Sequence, residues 1–154
     1  MAEMAAEMLA APTALAQLTP DEAREVVSFM KPHKIAEGVT FIKQGDTKDT
    51  DFMLLVIDGE VTVESIVVSR TEPITVSVLG PGSLIGEMGL VDGEPRSASC
   101  TAVTTLRAAI LTRAALNDLL DQNPRTAAKL LMAISLRIAE RMRDSSDKLR
   151  MYAQ

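Results

Sequence analysis

The sequence predicts an α+β domain in which an antiparallel β-barrel or jelly roll is flanked by N-terminal helices and a long C-terminal helix. Apolar residues recur at helical spacing at both ends of the chain, and short β-rich runs separated by glycine turns fill the middle. A length of 154 residues suits one domain with a modest core. We therefore expect a single domain over residues 1–154, with helices over about 2–30, the barrel over about 35–111 and helices over about 112–150.

Two helices are predicted before the barrel. Residues 2–10 are rich in alanine and methionine, and Pro12 ends this helix. The second helix is expected over residues 20–30. Thr19 can cap it, a proline suits its first turn, and Glu22 can complete a capping box.

The middle of the chain predicts the strands. The β-rich runs are VTFIK (39–43), FMLLVI (52–57), EVTVESIVVS (60–69), PITVSVL (73–79), SASCTAV (97–103) and TLRAAIL (105–111). Glycine-containing turns separate most of them. Many short strands at regular spacing are typical of a closed or sandwiched antiparallel structure.

Two more helices are predicted after the barrel. Thr112 caps a short helix that ends near Asp121, and a second helix begins at Pro124 and reaches about Arg150. This long helix has an apolar stripe with three arginines off it; the stripe is Leu131, Ile134, Ile138 and Met142, and the arginines are Arg137, Arg141 and Arg143. The stripe either lies entirely on the barrel or also pairs with a second chain. We favour the second arrangement, a homodimer through the C-terminal helix.

Composition excludes several classes of partner. The net charge of −5 argues against a surface that coats nucleic acid and against an anionic membrane. No apolar run approaches the roughly 18 residues of a membrane span. The N-terminus lacks the positively charged start of a signal peptide. We expect a soluble, cytoplasmic protein.

The reactive residue types are sparse. Cys100 is the only cysteine, which excludes an internal disulfide, and its place in a β-rich run predicts a buried core thiol. His33, the only histidine, follows a proline at a helix exit, where a surface position is expected. No cluster has metal-ligand spacing, and no hydrolase, P-loop or kinase motif is present. We expect no metal, no cofactor and no enzymatic activity.

The stretch LIGEMGLVDGEPRSASC, residues 84–100, has the chemistry of a binding loop. Glycines allow the backbone to approach a ligand closely. Arg96 offers a fork of donors that suits phosphate oxygens, and Ser97 can add its hydroxyl. Glu87 can accept from neutral hydroxyls such as those of a ribose. One arginine suits a single negative charge, which points to a phosphodiester joined to its own ribose. The alternative is that Glu87 and Arg96 form a structural ion pair.

The segment GEMGLVDGEPRSA resembles the phosphate-binding cassette of the cyclic-nucleotide-binding domain family. That cassette has the pattern Gly-Glu-x-Gly/Ala-Leu, a short turn, and then Arg-Ser/Ala-Ala. FIKQGD, LLVIDGEVTV and LGPGSLIGE resemble the family's strands before the cassette. The similarity extends over about residues 15–150. Within the family, the sequence particularly resembles the sensor half of the bacterial catabolite activator proteins.

The resemblance implies a role for each candidate residue. Glu87 would accept from the ribose 2′-hydroxyl, and Gly86 would bring its backbone against the sugar. Arg96 would pair with the cyclic phosphate. The other implied roles are a further phosphate donor (Ser97), a small wall (Ala98), neighbours of the base (Met88 and Arg141) and hydroxyls at the adenine amino group, one from each subunit (Ser145 and Ser146).

The departures from the family bear on function. Ile85 stands where the family often has Phe, and the surface loop 46–51 is slightly longer. The winged helix of the activators would follow Arg150, and tens of residues that it needs are not in this sequence, so we expect no direct DNA binding. The resemblance implies a stand-alone receptor for cAMP, with cGMP as the alternative ligand, that signals to an unidentified effector protein. The remaining alternatives are a nucleotide-independent interaction module and a fragment of a larger cyclic-nucleotide-regulated protein.

Overall fold

Two four-stranded antiparallel sheets and a group of helices form the structure, a computed structural model. It describes the backbone of residues 2–10, 18–65 and 74–153, and the side chains of these residues except 74–76 and 145–153. The strands are β1 (Lys31–Ile35), β2 (Thr40–Ile42), β3 (Phe52–Asp58), β4 (Val61–Ser65), β5 (Ile74–Leu79), β6 (Leu84–Ile85), β7 (Ser99–Ala102) and β8 (Leu106–Thr112). The helices are α1 (Ala2–Ala10), α2 (Pro20–Ser28), α3 (Glu87–Asp92), α4 (Arg113–Gln122) and α5 (Pro124–Ala153).

The strand pairing is that of a jelly roll. The first sheet has the order β1-β8-β3-β6 and the second the order β2-β7-β4-β5. Antiparallel pairs form between β1 and β8, β2 and β7, β3 and β6, and β4 and β5, so each pair nests inside the previous one. Of the closed and sandwiched arrangements that the sequence predicts, the structure has the sandwiched one. In the described part of the chain, no strand of one sheet pairs with a strand of the other, and the sheets pack face to face instead.

Two apolar clusters divide the molecule into layers. Between the sheets lie Leu54, Val56 and Leu106 of the first sheet against Val61 and Cys100 of the second. The opposite face of the first sheet packs against α1, α2, α4 and α5 in a larger cluster. Alternate residues of β3 point into the two clusters, because successive side chains of a strand face opposite ways. This explains why the run FMLLVI is apolar at every position.

Two elements around the sheets differ from the predictions. Residues 31–35, which form β1, were expected to be the segment that follows the second helix, because Pro32 favours neither a helix interior nor a strand interior. β1 is an edge strand, where a missing N–H is tolerated, and His33 in it is exposed as predicted. The loop expected at residues 87–92 is the short helix α3, which is bounded by the left-handed glycines Gly86 and Gly93.

The long C-terminal helix is confirmed, and three residues of its predicted stripe, Leu131, Ile134 and Ile138, pack against the core, whereas Met142 does not. Leu130 and Ile134 are fully buried, whereas Met142 is 67% exposed. Arg137 and Arg141, which were expected off the apolar face, point towards α3. Leu130, Ile134, Arg137 and Arg141 follow one another at intervals of three and four residues, so this side of α5 passes from the core to the neighbourhood of α3. No helix in the described ranges combines the length and apolar character needed to cross a membrane.

The N-terminus of α2 has a capping box, and its glutamate also forms an ion pair with α5. The Thr19 side chain accepts from the Glu22 N–H, and the Glu22 carboxylate accepts from the Thr19 N–H, as predicted. The same Glu22 oxygen receives Lys129 Nζ of α5 at 2.8 Å. The hydrogen bond from Lys129, followed by that from the Thr19 backbone, lowers the pKa of Glu22 to about 2. Folding therefore favours the charged form of this carboxyl group.

This shift predicts how stability depends on pH. The folded pKa of Glu22 lies below its ordinary value, so its contribution is present above about pH 4.5 and is lost as the pH falls towards 2. We expect Glu22→Gln to be less stable than the parent at pH 6, with the difference shrinking on acidification. Urea unfolding at pH 6, 5, 4 and 3 measures it. For Lys129→Gln, the difference in the free energy of unfolding from the parent should shrink with falling pH in the same way. A difference that stays constant down to pH 3 would contradict the lowered pKa of Glu22.

Candidate ligand-binding site

One cavity lies between the second sheet, α3 and the C-terminal half of α5. Its volume is about 150 Å³, and it opens to solvent. The apolar wall comes from Ile42, Val63, Leu79 and Ile85. The polar wall comes from the stretch 86–98 together with Arg141. The cavity therefore has one apolar side and one side rich in charges and backbone groups.

Arg96 places a guanidinium group in the cavity wall. Its Nη1 donates to the Gly86 carbonyl at 3.1 Å and its Nη2 donates to the Phe52 carbonyl at 3.0 Å. The guanidinium carbon lies 4.5 Å from the centre of the Phe52 ring. Burial lowers the pKa of Arg96 from its usual value, against the opposing influence of Cys100 and nearby acidic groups. An arginine remains charged at neutral pH in this situation, so the wall carries a fixed positive charge.

Glu87 places a buried carboxylate on the same cavity. The residue is the first of α3 and is completely buried. Its Oε1 lies 2.7 Å from Arg141 Nη1 and 3.8 Å from Arg137 Nε, both on α5. Neither carboxylate oxygen has a hydrogen bond within the described structure. The carboxylate is therefore paired by charge but retains the capacity to accept hydrogen bonds from a ligand.

Glu87 and Arg96 do not pair with each other. Within the part of the chain that the structure describes, Arg96 has no carboxylate within 4.0 Å, and the ion pairs of Glu87 go to α5. The alternative of a structural ion pair between them therefore does not describe this structure. Two opposite charges line one cavity and remain separate, which leaves each available to a different part of one ligand.

Two glycines allow Arg96 to lie against α3. Gly86 has φ of +79°, and a Cβ there would meet Arg96 Nη1 at 2.7 Å. A Cβ at Gly89 would meet the Thr50 carbonyl oxygen and would lie 2.5 Å from Arg96 Nη1. The guanidinium thus occupies the space that side chains at these two positions would need. The glycines of the sequence pattern are explained by this close approach.

Backbone contacts fix the rest of the loop. The Gly45 N–H donates to the Arg96 carbonyl at 2.8 Å, and the Arg96 N–H donates to the Asp46 carbonyl at 3.1 Å. At the C-terminus of α3, Thr50 Oγ1 donates to the Gly93 carbonyl and Arg113 Nη1 donates to the Val91 carbonyl, both at 2.7 Å. The short helix is therefore held at its end by side chains from outside it.

Most of the candidate residues come together. Those on the cavity are Gly86, Glu87, Met88, Arg96, Ser97, Ala98 and Arg141. Ser145 and Ser146 belong to α5, but their side chains lie outside the described residues. Arg141 contacts Glu87, whereas the resemblance implies a place near the base. What these residues bind stays a prediction.

Sequence reasoning missed three residues of the site: Phe52, Gly89 and Arg137. Phe52 carries no sign of its contact with Arg96, because a phenylalanine in an apolar strand is expected to be core. Gly89 was part of the quoted pattern, but its reason appears only when Arg96 lies over it. Arg137 had a usable signal, since arginines at positions 137 and 141 are four residues apart and share one helix face.

Cys100 lines the cavity without being a nucleophile. It is 4% exposed, and burial raises the pKa of its thiol to about 11, although Arg96 and Arg141 oppose the shift. At neutral pH the thiol is protonated, and a protonated thiol is unreactive. This agrees with the predicted core thiol. Among the described residues, no group of three or more His, Cys, Asp or Glu could hold a metal ion.

These features define a class of protein: a ligand-binding domain of two packed sheets, with a separate carboxylate and guanidinium on one cavity and a long helix at its edge. A family model described as "Cyclic nucleotide-binding domain" matches residues 32–123. The chain belongs to this family, and the resemblance stated from the cassette is confirmed.

Two relatives show where such domains occur. A cyclic nucleotide-gated potassium channel from Mesorhizobium japonicum is 31% identical over 121 residues, which are 79% of this chain and 31% of the channel. A CRP-like cAMP-activated global transcriptional regulator from Mycobacterium tuberculosis is 26% identical over 127 residues, 82% of this chain and 52% of the regulator. The chain thus spans about a third of the channel and about half of the regulator.

Solved structures agree with the fold. A cyclic nucleotide-binding domain from Methylobacillus flagellatus superposes with a TM-score of 0.84 at 30% identity, covering 98% of this chain and 83% of that one. The Thermus thermophilus catabolite activator protein superposes with a TM-score of 0.78 at 27% identity, covering 95% of this chain and 63% of that one. The resemblance to the sensor half of the catabolite activators is confirmed.

The contact of Gly89 with Arg96 gives a prediction. Alanine normally stabilises a helix relative to glycine, yet Gly89→Ala should lower the free energy of unfolding by about 1–3 kcal/mol, because its Cβ overlaps the Thr50 carbonyl and the guanidinium. Guanidinium chloride unfolding measures this. Gly93→Asn is the control, since Gly93 has φ of +64° and open space around it, and asparagine tolerates that conformation. If Gly89→Ala unfolds at the same denaturant concentration as the parent, the close contact is wrong.

Proposed function

We propose that this protein is a stand-alone cAMP receptor that binds one cyclic nucleotide in the cavity and relays binding through α5 to a partner protein. The proposal assigns it no catalytic step and no direct contact with DNA, for which a net charge of −5 is unfavourable. The family supplies the ligand class, and the cavity supplies the residues that would recognise it.

The observation that carries the proposal is the state of Arg96. Arg96 is 8% exposed and, in the described structure, no carboxylate lies within 4.0 Å of its guanidinium. A buried cation without an anion is costly, and a bound anion would reduce that cost. A cyclic phosphate carries one negative charge and matches one guanidinium. Ser97, on the same wall, is placed to add its hydroxyl.

The ribose would lie beside the negative charge of Glu87. A ribose 2′-hydroxyl can donate to Glu87, whose two oxygens have no hydrogen bond within the described structure. Gly86 brings its backbone to the cavity at the same point, and Ala98 keeps the wall small. The separation of Glu87 from Arg96 fits a ligand that presents a hydroxyl and a phosphate at once.

The base would lie towards Met88 and α5. Met88 lines the cavity and is 44% exposed, so it offers an apolar surface for a ring. Ser145 and Ser146 follow Arg141 by one turn of α5, where hydroxyls can accept from an adenine amino group. The cAMP-activated regulator among the relatives supports cAMP over cGMP.

Signal relay would use α5 because this helix reaches the site. Arg141 pairs with Glu87, the residue proposed for the ribose, and is itself 46% exposed. A ligand that engages Glu87 competes with this ion pair and changes how α5 is held. A helix that contacts the site in this way is a suitable two-state element for passing such a change to another protein.

The outward side of α5 offers a surface for a second copy. Met132, Leu136 and Met142 are 62%, 44% and 67% exposed on this helix. We propose that an identical helix covers them, which would also bring Ser145 or Ser146 of each chain near the partner's site. An apolar helix side of this kind is unfavourable in water unless it is covered.

The role of Arg96 is tested by removing it. Arg96→Ala should weaken cAMP binding at least about tenfold, because the loss of a charge contact in a desolvated site costs roughly 2–5 kcal/mol. Isothermal titration calorimetry with cAMP and cGMP gives the affinities. Arg107→Ala, an exposed arginine on β8, is the matched control and should bind like the parent.

Two results would count against the proposal in different ways. Equal cAMP affinity in Arg96→Ala and the parent would refute the phosphate site. If no cyclic nucleotide raises the melting temperature of the parent, the interaction module becomes the better explanation. Ligand at about 100 times its dissociation constant should add roughly 2.7 kcal/mol of stability, which such a melt detects easily.

The dimer is tested on the exposed side of α5. Leu136→Glu should convert the protein from dimer to monomer, because two buried carboxylates would face each other across the helix pair. Analytical ultracentrifugation measures the mass in solution. Val78→Glu is the control, since Val78 is 58% exposed on β5, away from α5. A parent that sediments as a monomer, or a Leu136→Glu variant that remains dimeric, would contradict this interface.

A further inference from the structure

Two arginines of α5 point at one carboxylate. Arg141 Nη1 lies 2.7 Å from Glu87 Oε1, and Arg137 Nε lies 3.8 Å from the same oxygen. The two arginines are four residues apart and therefore share one face of the helix. Like charges at this spacing destabilise a helix, so the arrangement needs a compensating reason. One carboxylate with two cations leaves an excess positive charge beside the sugar end of the cavity.

The two arginines are held differently. Arg137 is 25% exposed, and its Nη2 donates to the Leu84 carbonyl of β6 at 3.1 Å. Arg141 is 46% exposed, and among the described residues its polar contact is the ion pair with Glu87. Arg137 is thus tied to the sheet independently of Glu87, whereas Arg141 is not.

The contact between Glu87 and Arg137 involves buried polar atoms that have no hydrogen bond. Both Glu87 carboxylate oxygens and Arg137 Nε are buried without a hydrogen bond, and they are the buried side-chain atoms of this kind among the described residues. At 3.8 Å, Arg137 Nε is within ion-pair range of Glu87 but too far for a hydrogen bond. Burial and the neighbouring Arg141 lower the pKa of Arg137, while Glu87 opposes this shift.

We propose that Arg137 is a positioning residue for the sugar: the fixed counter-ion that holds the Glu87 carboxylate towards the ribose 2′-hydroxyl, while Arg141 is the exchangeable partner that the ligand displaces. This inference rests on the proposed function and adds a division of labour to it. When the hydroxyl takes the place of Arg141 at Oε1, Glu87 keeps Arg137 as a counter-ion beside the same oxygen. Without Arg137, the displaced state would leave a buried carboxylate with only a neutral donor.

The test compares cAMP with 2′-deoxy-cAMP, which lacks only the hydroxyl in question. The parent should bind cAMP about tenfold or more tightly than the deoxy analogue, as expected for a hydrogen bond to a charged group. In Arg137→Met, which keeps a long apolar stem, cAMP affinity should fall about tenfold and the affinity for the analogue less than about threefold. A tenfold preference for the hydroxyl therefore falls to about threefold or less. Isothermal titration calorimetry measures all four affinities.

Three variants separate positioning from structure. Arg137→Lys keeps a cation and should restore most of the preference. Arg141→Met should retain it, because it removes only the exchangeable partner. Arg143→Met makes the same change at an exposed position of the same helix and should bind both nucleotides like the parent.

The results test the role of Arg137 separately from the proposed function. If Arg137→Met weakens both nucleotides equally, Arg137 only supports the fold and the inference is overturned. It is also overturned if Arg141→Met loses the preference as completely as Arg137→Met. If Arg137→Met does not fold, Arg137→Gln and Arg137→Lys are compared instead. A preference for cAMP over 2′-deoxy-cAMP in the lysine variant alone supports the inference. Equal preferences in the two variants overturn it. A parent that binds no cAMP refutes the proposed function itself.

Discussion

The separation of two buried opposite charges is the constraint on which the site depends. Glu87 is fully buried and Arg96 nearly so, yet the two do not form an ion pair. Left together, they would neutralise each other and close the cavity. Instead, backbone carbonyls and the Phe52 ring hold the guanidinium, and arginines of α5 hold the carboxylate. Each charge then faces a different part of the cavity, which is what a ligand with a phosphate and a hydroxyl requires.

The fold maintains this separation with few residues. The left-handed Gly86 turns the chain from β6 into α3, and Gly89 leaves room for the guanidinium against that helix. Thr50 and Arg113 hold the far end of α3. The C-terminal helix packs on the first sheet through Leu130 and Ile134 and reaches the cavity only further along. The same helix thus belongs to the core at one end and to the site at the other, which suits it to report on a ligand.

Local signals allowed much of this to be predicted. The capping box at Thr19, the alternation of strands and glycine turns, and the start of α5 at Pro124 depend on neighbouring residues, so the sequence contains them. The choice between a closed barrel and two stacked sheets required the structure, because hydrogen bonding between sheets is a property of the whole topology. Only the end of the predicted α5 stripe was wrong, for a related reason: Met142 continues the apolar pattern of the sequence but is exposed, because contacts with α3 and the sheet decide which face packs there. Glu87 and Arg96 were identified from their chemistry, whereas the contribution of Arg137 required the structure.

The most direct measurement is a crystal structure of the protein grown with saturating cAMP. The account predicts density for one nucleotide in the cavity, with phosphate oxygens within about 3.2 Å of the Arg96 guanidinium and the ribose 2′-hydroxyl within the same distance of Glu87. Arg141 should have moved off Glu87 while Arg137 remains beside it. A nucleotide bound elsewhere, or one whose phosphate lies away from Arg96 in this cavity, would contradict the account.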